Sequence, residues 1–539
     1  MGFKAKYISY RQTGSFSKIV TDYLDNHSSL QKFYNHPPSI DGIRKTIVAR
    51  KDHLTNRALL VSELHKQYKT AQSNEKVSAN IDALLHENTF TICTAHQPNI
   101  FTGHLYFIYK ILHAIKLAGE LKKEIPGCNF VPVYYMGSED ADLEELGEVT
   151  INGKKYEWHT KQKGAVGRMK TDQAFIALIA EIEGQLSVEK YGKEIIALVK
   201  ETYTLNKTIE QATFEFVNSL FADYGLIILL PDNAVLKNEF AAVNTKELSE
   251  QFSHKLVAET IAQFPAAYKV QAAGREVNLF YLKDDIRERI EFSKNRYTVT
   301  NTSIVFTKEE ILKELKDHPE RFSQNVILRP VLQELILPNI AFIGGGGELA
   351  YWLELKSVFD AVKVPFPVLV LRNSFMVVTK KAAAKVAALQ SDAVEFFKPE
   401  NILLEELVKK ESAVSLNLEE EKRSMATLYH NIKVAATIVD STLPQHVEAL
   451  ETQALKRIQK LEKKMLKAEK KKFEARQRQI HKIKEALFPS GELQERIDNL
   501  LPYYSLFGKD FIKMLYEYSK SLEQEFCVVE EEAGLMFGV

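Results

Sequence analysis

The sequence is poor in the features that most readily assign a protein to a class. Cysteine is scarce: among 539 residues only Cys93, Cys128 and Cys527 occur, far apart and with no C-x-x-C spacing. That argues against a disulfide framework and a cysteine-built zinc site, and points to a reducing compartment, the cytoplasm. Charge of one sign is also lacking, because Lys+Arg and Asp+Glu both number 71. No global field then draws the chain to nucleic acid or to an anionic membrane. No apolar run reaches the ~18 residues of a membrane helix. The opening MGFKAKYISYRQTGSF has no apolar signal-peptide core. Neither a P-loop nor G-x-G-x-x-G is present. Absence of a K-M-S-K-S loop, together with the neutral charge, disfavours tRNA-linked aminoacyl chemistry. What remains is a soluble chain of roughly two to four domains.

The informative stretch runs from Phe90 to Glu145. An apolar strand, Phe90–Thr94, enters a polar turn, and a helix starts near Gly103–His104. A second apolar run, Phe130–Met136, ends in Gly137, Ser138, Glu139, Asp140 and Asp142. Strand, turn, helix and strand make a βαβ unit, and open parallel sheets bind ligands at the carboxyl ends of their strands. Thr94, His96, Gln97, Asn99, Thr102 and His104 supply polar groups there. Gly103 permits close backbone approach, and the helix start offers free N–H groups to an anion. Class I nucleotidyltransferases carry H-x-G-H at such a turn; here the aligned residues are Phe101-Thr102-Gly103-His104. Closely spaced carboxylates shift one another's proton affinity and suit acid–base work or cation binding. Glu139, Asp140 and Asp142 are therefore the catalytic candidates, set against the plain reading of an acidic helix start.

Two later segments return to the core pattern. Gly225–Leu230 reads as a strand buried on both faces. Ala341–Ile343 runs into Gly344-Gly345-Gly346-Gly347-Glu348 and a helix, Leu349–Phe359; Phe366–Leu371 then ends at Arg372. Four glycines between strand and helix suit a phosphate- or carboxylate-binding turn. Arg329 and Arg372, both placed at strand ends, can meet it. Residues 150–220 and 265–320 read as insertions, and Thr307 to Glu310 as a helix cap. Beyond 381 strand signals vanish. Leu466, Phe473, Ile480 and Leu487 repeat every seven residues in a long charged helix over 446–488, as in a coiled coil or an antiparallel helical hairpin. Its lysines read as a solvated face rather than an RNA site. Residues 501–539 read as a helical segment packing on the core.

Several spaced motifs resemble the bacillithiol biosynthesis cysteine-adding enzyme (BshC) family. They are Gln97, Gly103, Leu105 and Tyr106 with Ile108-Tyr109-Lys110; Glu139, Asp140 and Asp142; Asn325 to Pro330 with Gln333, Glu334 and Pro338; Gly344, Gly345, Gly347, Glu348, Ala350, Tyr351 and Trp352; and Ala486 to Pro489 with Gly491 and Leu493 to Arg496. The chain departs from the usual family pattern at His96, Asn99 and His104 in the first turn. Ala141 stands where the family often has a histidine, so no role for that histidine carries over.

The resemblance implies an α/β fold: a Rossmann-like parallel-sheet core related to class I nucleotidyltransferases over residues 1–380, connecting insertions, and an α-helical coiled-coil domain over 381–500 that dimerises. It implies addition of L-cysteine to glucosaminyl-malate as an amide. Such a reaction needs an activated carboxylate, hence ATP or ADP as the expected nucleotide, with no metal ligands assigned. In that frame Glu139, Asp140, Asp142 and Glu348 are the catalytic set. Thr94, His96, Gln97, Thr102, Gly103, His104, Arg329, Gly345, Gly347, Tyr351, Trp352 and Arg372 bind substrate or nucleotide. The competing reading is a nucleotide-binding dimeric scaffold that assists another ligase.

Overall fold

A computed structural model describes residues 2–72, 74–412 and 417–532. The chain divides into two compact units, one of residues up to 376 together with 492–529, the other mainly 377–491.

The first unit is built on a five-stranded parallel sheet. Its spatial order is Val368–Leu371, Asn339–Gly344, Thr89–His96, Asn129–Met136 and Ile227–Leu229. All eight residues of Thr89–His96 are buried, as expected of a central strand covered on both faces. Register pairs Thr94 with Tyr134 on one side and with Ile343 on the other. Helix Leu105–Glu124 returns the chain from the first core strand to the second. Its Ala114, Leu117 and Leu121 pack with Phe90, Ile92, Phe130, Ile343 and Val370. In chain order the sheet grows outward from Thr89–His96 through two strands, then restarts on its other side at Asn339–Gly344. The topological switch point therefore lies between those two strands, where their carboxyl ends leave a crevice.

The insertion after the second core strand begins with a hairpin, Glu148–Ile151 and Lys154–Glu157. Its turn residues Asn152 and Gly153 have φ of 50° and 78°, the left-handed pair that a tight hairpin needs. The other insertion forms a five-stranded antiparallel sheet ordered Val305–Phe306, Arg296–Val299, Ile286–Ser293, Leu279–Lys283 and Phe322–Gln324. Thr307 and Glu310 form the expected capping box at helix Lys308–Asp317.

The chain opens with a strand, Phe3–Ser9. One sequence expectation changes here. The segment 501–539 is helical only through Leu500–Phe507 and Lys509–Tyr518; it then forms the strand Glu525–Glu531 beside Phe3–Ser9. Adjacent buried Phe526, Cys527, Val528 and Val529 favour the pleated state. Residues 533–539 of that segment lie outside the described residues.

The second unit is helical. Glu419–Val439 and Leu443–Lys470 run antiparallel, joined side to side by Lys422–Glu462 at 2.8 Å and by a Lys433–Glu448 pair. The long helix read over 446–488 is broken by a 3₁₀ turn at Lys471–Phe473 before Glu474–Leu487. Lys467, Lys470, Lys471 and Lys472 crowd like charge onto adjacent turns there, which weakens helix. Of the heptad residues, Ile480 and Leu487 are buried, whereas Leu466 and Phe473 are half-buried. Among the described residues no helix is long and apolar enough to cross a membrane.

Candidate active site

The crevice at the switch point is a cavity of about 380 Å³. Strand Thr89–His96 delivers His96 and Gln97 to it; strand Asn129–Met136 delivers Gly137, Glu139 and Asp140; strand Asn339–Gly344 delivers Gly345, Gly347 and Glu348; strand Val368–Leu371 delivers Arg372. Arg329 and Tyr351 complete the predicted residues that line it. Arg329 does not follow a strand: it is the first residue of helix Arg329–Ile336, because Pro330 fits the first helical turn.

Six expected residues do not line the cavity. Thr94 is fully buried in the sheet, its hydroxyl donating to the Ile343 carbonyl at 2.9 Å. Trp352 stacks on Phe342, with ring centroids 4.3 Å apart, and belongs to the core. Asp142 caps the short helix Leu143–Leu146, accepting from the Glu145 amide. Thr102, Gly103 and His104 form a turn whose carbonyls and following helix amide are held by a distant segment, while the buried Thr102 hydroxyl has no partner among the described residues. The Asn499 side-chain amide donates to the carbonyls of Phe101 and Gly103, and the Asp498 carbonyl accepts the Leu105 amide at 2.8 Å. The helix start proposed for an anion is thus capped by residues 498–499. Gly103 is required by φ of 62° and by Asn99, whose Cβ would lie 2.7 Å from an added Cβ.

In the glycine turn one amide is satisfied from within. Glu348 reaches back to the Gly345 amide at 2.8 Å, and its carboxylate pairs with the Lys110 ammonium at 2.5 Å. Gly344 is a packing requirement, since a Cβ there would sit 2.9 Å from the Phe342 ring.

Four residues not singled out individually prove important. Lys110, buried on helix Leu105–Glu124, also donates to the Ala95 carbonyl at 2.7 Å. Burial lowers its proton affinity, and Glu348 counteracts this. Its sequence signal was its place in the Ile108-Tyr109-Lys110 motif, on an otherwise apolar stretch of that helix. Arg287, from the antiparallel sheet, reaches Asp140 at 3.8 Å and lies over the Phe280 ring. Arg496 is an exposed cation at the cavity edge. Lys237 lies behind the acidic residues and pairs with Glu139.

Both signs of charge line the cavity: Lys110, Arg287, Arg329, Arg372 and Arg496, and Glu139, Asp140, Glu145 and Glu348. The cations differ in availability. Arg372 is tied to Glu495 at 2.7 Å and Lys110 to Glu348. Arg329 donates to Gln333 and to the Tyr351 hydroxyl, each at 3.1 Å, and lies over the Tyr135 ring; among the described residues it has no carboxylate partner. Burial, reinforced by Lys110, keeps His96 well below its usual pKa, so the ring is neutral near pH 7. Gln97 donates to Asp140 at 3.1 Å. Burial, then Asp142 and Asp140, push the Glu145 carboxyl upward. Among the described residues no cluster of three or more His, Cys, Asp or Glu could hold a metal ion.

The fold and this crevice define a Rossmann-like α/β protein with a ligand cavity at the switch point of its sheet. Residues 3–373 match the family model "Bacillithiol biosynthesis BshC, N-terminal Rossmann-like domain", and residues 375–531 match "Bacillithiol biosynthesis BshC, C-terminal coiled-coil domain". The chain belongs to the BshC family. A Flavobacterium johnsoniae protein named "Putative cysteine ligase BshC" is 41% identical over 525 residues, 97% of this chain and 99% of that protein. The same name is carried by a Christiangramia forsetii protein, 40% identical over 533 residues (97% and 98% covered). It is also carried by a Bacillus cereus protein, 26% identical over 526 residues (95% and 97% covered).

Proposed function

We propose that this chain is a ligase that joins L-cysteine to glucosaminyl-malate through an amide bond in bacillithiol biosynthesis. The observation that carries the reading is a cavity lined by both arginines and carboxylates, in which Arg329 has no acidic partner within ion-pair distance among the described residues. Both substrates bear carboxylate and amine. A guanidinium without a counter-ion is suited to a carboxylate, which it binds in bidentate fashion. The carboxylates Glu139 and Asp140 are suited to an ammonium.

In this reading Arg329 orients the carboxylate. Glu139 and Asp140 seat the amine. The ammonium first gives one proton to a carboxylate oxygen of this wall; the freed amine then bonds to the acyl carbon, the C–O electron pair leaves with the activating oxygen, and the second proton shed by the nitrogen goes to that departing oxygen. The neutral His96 and the Tyr135 and Tyr106 rings limit water at the reacting atoms.

ATP, when bound, would supply the group that activates the carboxylate. The residues present fit an anion of that kind through a side chain: the exposed Arg496 at the rim would hold its phosphates. The Leu105 amide is taken by the Asp498 carbonyl and the Gly345 amide by Glu348, so neither of these two is offered to a phosphate. The family's coiled-coil domain and the exposed Ile438 and Val439 on its hairpin support a homodimer through this region.

The test is ligation by the purified protein given L-cysteine, glucosaminyl-malate and ATP, followed by mass spectrometry. A new product of bacillithiol mass supports the reading. Nucleotide bound without product would favour the scaffold role.

A further inference from the structure

Lys237 is the most completely buried cation near the cavity, and nothing in its local pattern marks it. It lies in the short helix Ala234–Asn238, just after the edge strand of the parallel sheet. Its ammonium pairs with Glu139, with Asp232 at 3.0 Å, and with the Glu320 carbonyl at 2.8 Å. Those contacts occupy all three of its donors.

The two carboxylates it touches are not equivalent. Asp232 has a second cation, because Arg168 grips it with two bonds of 2.7 and 2.8 Å. Glu139 has none: among the described residues, Lys237 is the only cation within ion-pair distance of it. Removing Lys237 would leave Asp232 paired and Glu139 alone. The other oxygen of Glu139 accepts from the Ser323 hydroxyl at 3.1 Å. Ser323 in turn accepts from Arg287 at 3.3 Å, and Arg287 faces Asp140. A chain of contacts thus runs from a fully buried lysine to both carboxylates at the cavity.

The surroundings of Glu139 set the direction of the effect. Burial is the largest influence and drives its carboxyl toward protonation; Asp232 adds to this, and Lys237 and Arg287 oppose it. Glu210, on helix Ile209–Phe221, and Arg168 belong to the same charged cluster, the first acidic and the second tied to Asp232. Tyr135 and Asp140 flank Glu139 from its own strand and loop. A protonated Glu139 would lose its attraction for an ammonium.

We propose that Lys237 is a positioning residue for the ligation: it holds the Glu139 carboxylate anionic and aimed into the cavity, where Glu139 receives the ammonium of the amine substrate. This rests on the assignment of the acidic wall to the amine.

The experiment measures kcat/KM against pH for the full-length wild type, Lys237→Met and Lys237→Arg. In Lys237→Met the acidic limb should move up by about one pH unit or more. Most of the activity lost at neutral pH should return at alkaline pH. Lys237→Arg should keep the wild-type limb, and in a Glu139→Gln background replacing Lys237 should no longer move it. If Lys237→Met does not fold, Lys237→Gln is read the same way. A loss of equal factor at every pH would mark a merely structural role and overturn the proposal. A wild type inactive at every pH would instead sink the ligase reading on which it rests.

Discussion

The guanidinium of Arg372 meets the carboxylate of Glu495 at 2.7 Å, with both side chains almost wholly buried. Arg372 ends a core strand, whereas Glu495 belongs to the late segment that also caps helix Leu105–Glu124. Their pairing neutralises Arg372, whereas Arg329 and the exposed Arg496 have no carboxylate partner among the described residues. Replacing Glu495 with Gln should strand a buried guanidinium, at a cost of about 3–5 kcal/mol. Denaturant unfolding measures that loss, and a change below about 1 kcal/mol would show the pair to be dispensable.

Gly103 is a conformational requirement rather than a phosphate contact. Gly103→Ala should destabilise by about 1–3 kcal/mol through left-handed strain and the clash with Asn99. Ligation by the surviving folded protein should be retained at low temperature. Full stability with abolished substrate binding would restore the anion role to this turn.

Asp498 gives a pH signature. Burial pushes its carboxyl up to about 6, and the Tyr503 hydroxyl, donating at 2.8 Å, opposes this. Because the folded value exceeds an unfolded value near 4, the folded state holds the extra proton between them. The stabilisation is complete below about pH 4 and is lost as pH rises through about 6. Asp498→Asn should therefore raise the unfolding free energy by roughly 2 kcal/mol at pH 8 and little at pH 4. Equal effects at both pH values would contradict the assignment.

The hairpin of the helical unit exposes Ile438 at 84% and Val439 at 79%. If a second copy covers them, Ile438→Glu with Val439→Glu should convert a dimer of twice 61.5 kDa to the monomer. Sedimentation equilibrium reads this directly. A dimer unaffected by both changes would place the interface elsewhere.

Much of the cavity was legible because strand ends are local signals. Glu139, Asp140, Glu348 and Arg372 each follow an apolar run, and all reach the crevice. What stayed hidden depends on distant partners. The turn at Thr102–His104 lies off the cavity, and residues 498–499, far along the chain, hold its carbonyls and the Leu105 amide. Lys110 and Lys237 look like ordinary helix lysines until tertiary packing buries them beside carboxylates. Arg287 and Ser323 come from an insertion that periodicity shows only as strands. The break at Lys471–Phe473 reflects charge crowding that a heptad count ignores.

The central claim is that Arg329 and Asp140 hold opposite ends of a ligation at one cavity. The most direct measurement is thiol profiling of a strain deleted for this protein and complemented with wild type, Arg329→Ala or Asp140→Ala. Wild type should restore bacillithiol, while each variant should leave it at least about tenfold lower, with glucosaminyl-malate accumulating. Bacillithiol at wild-type levels with both variants stably expressed would contradict the account.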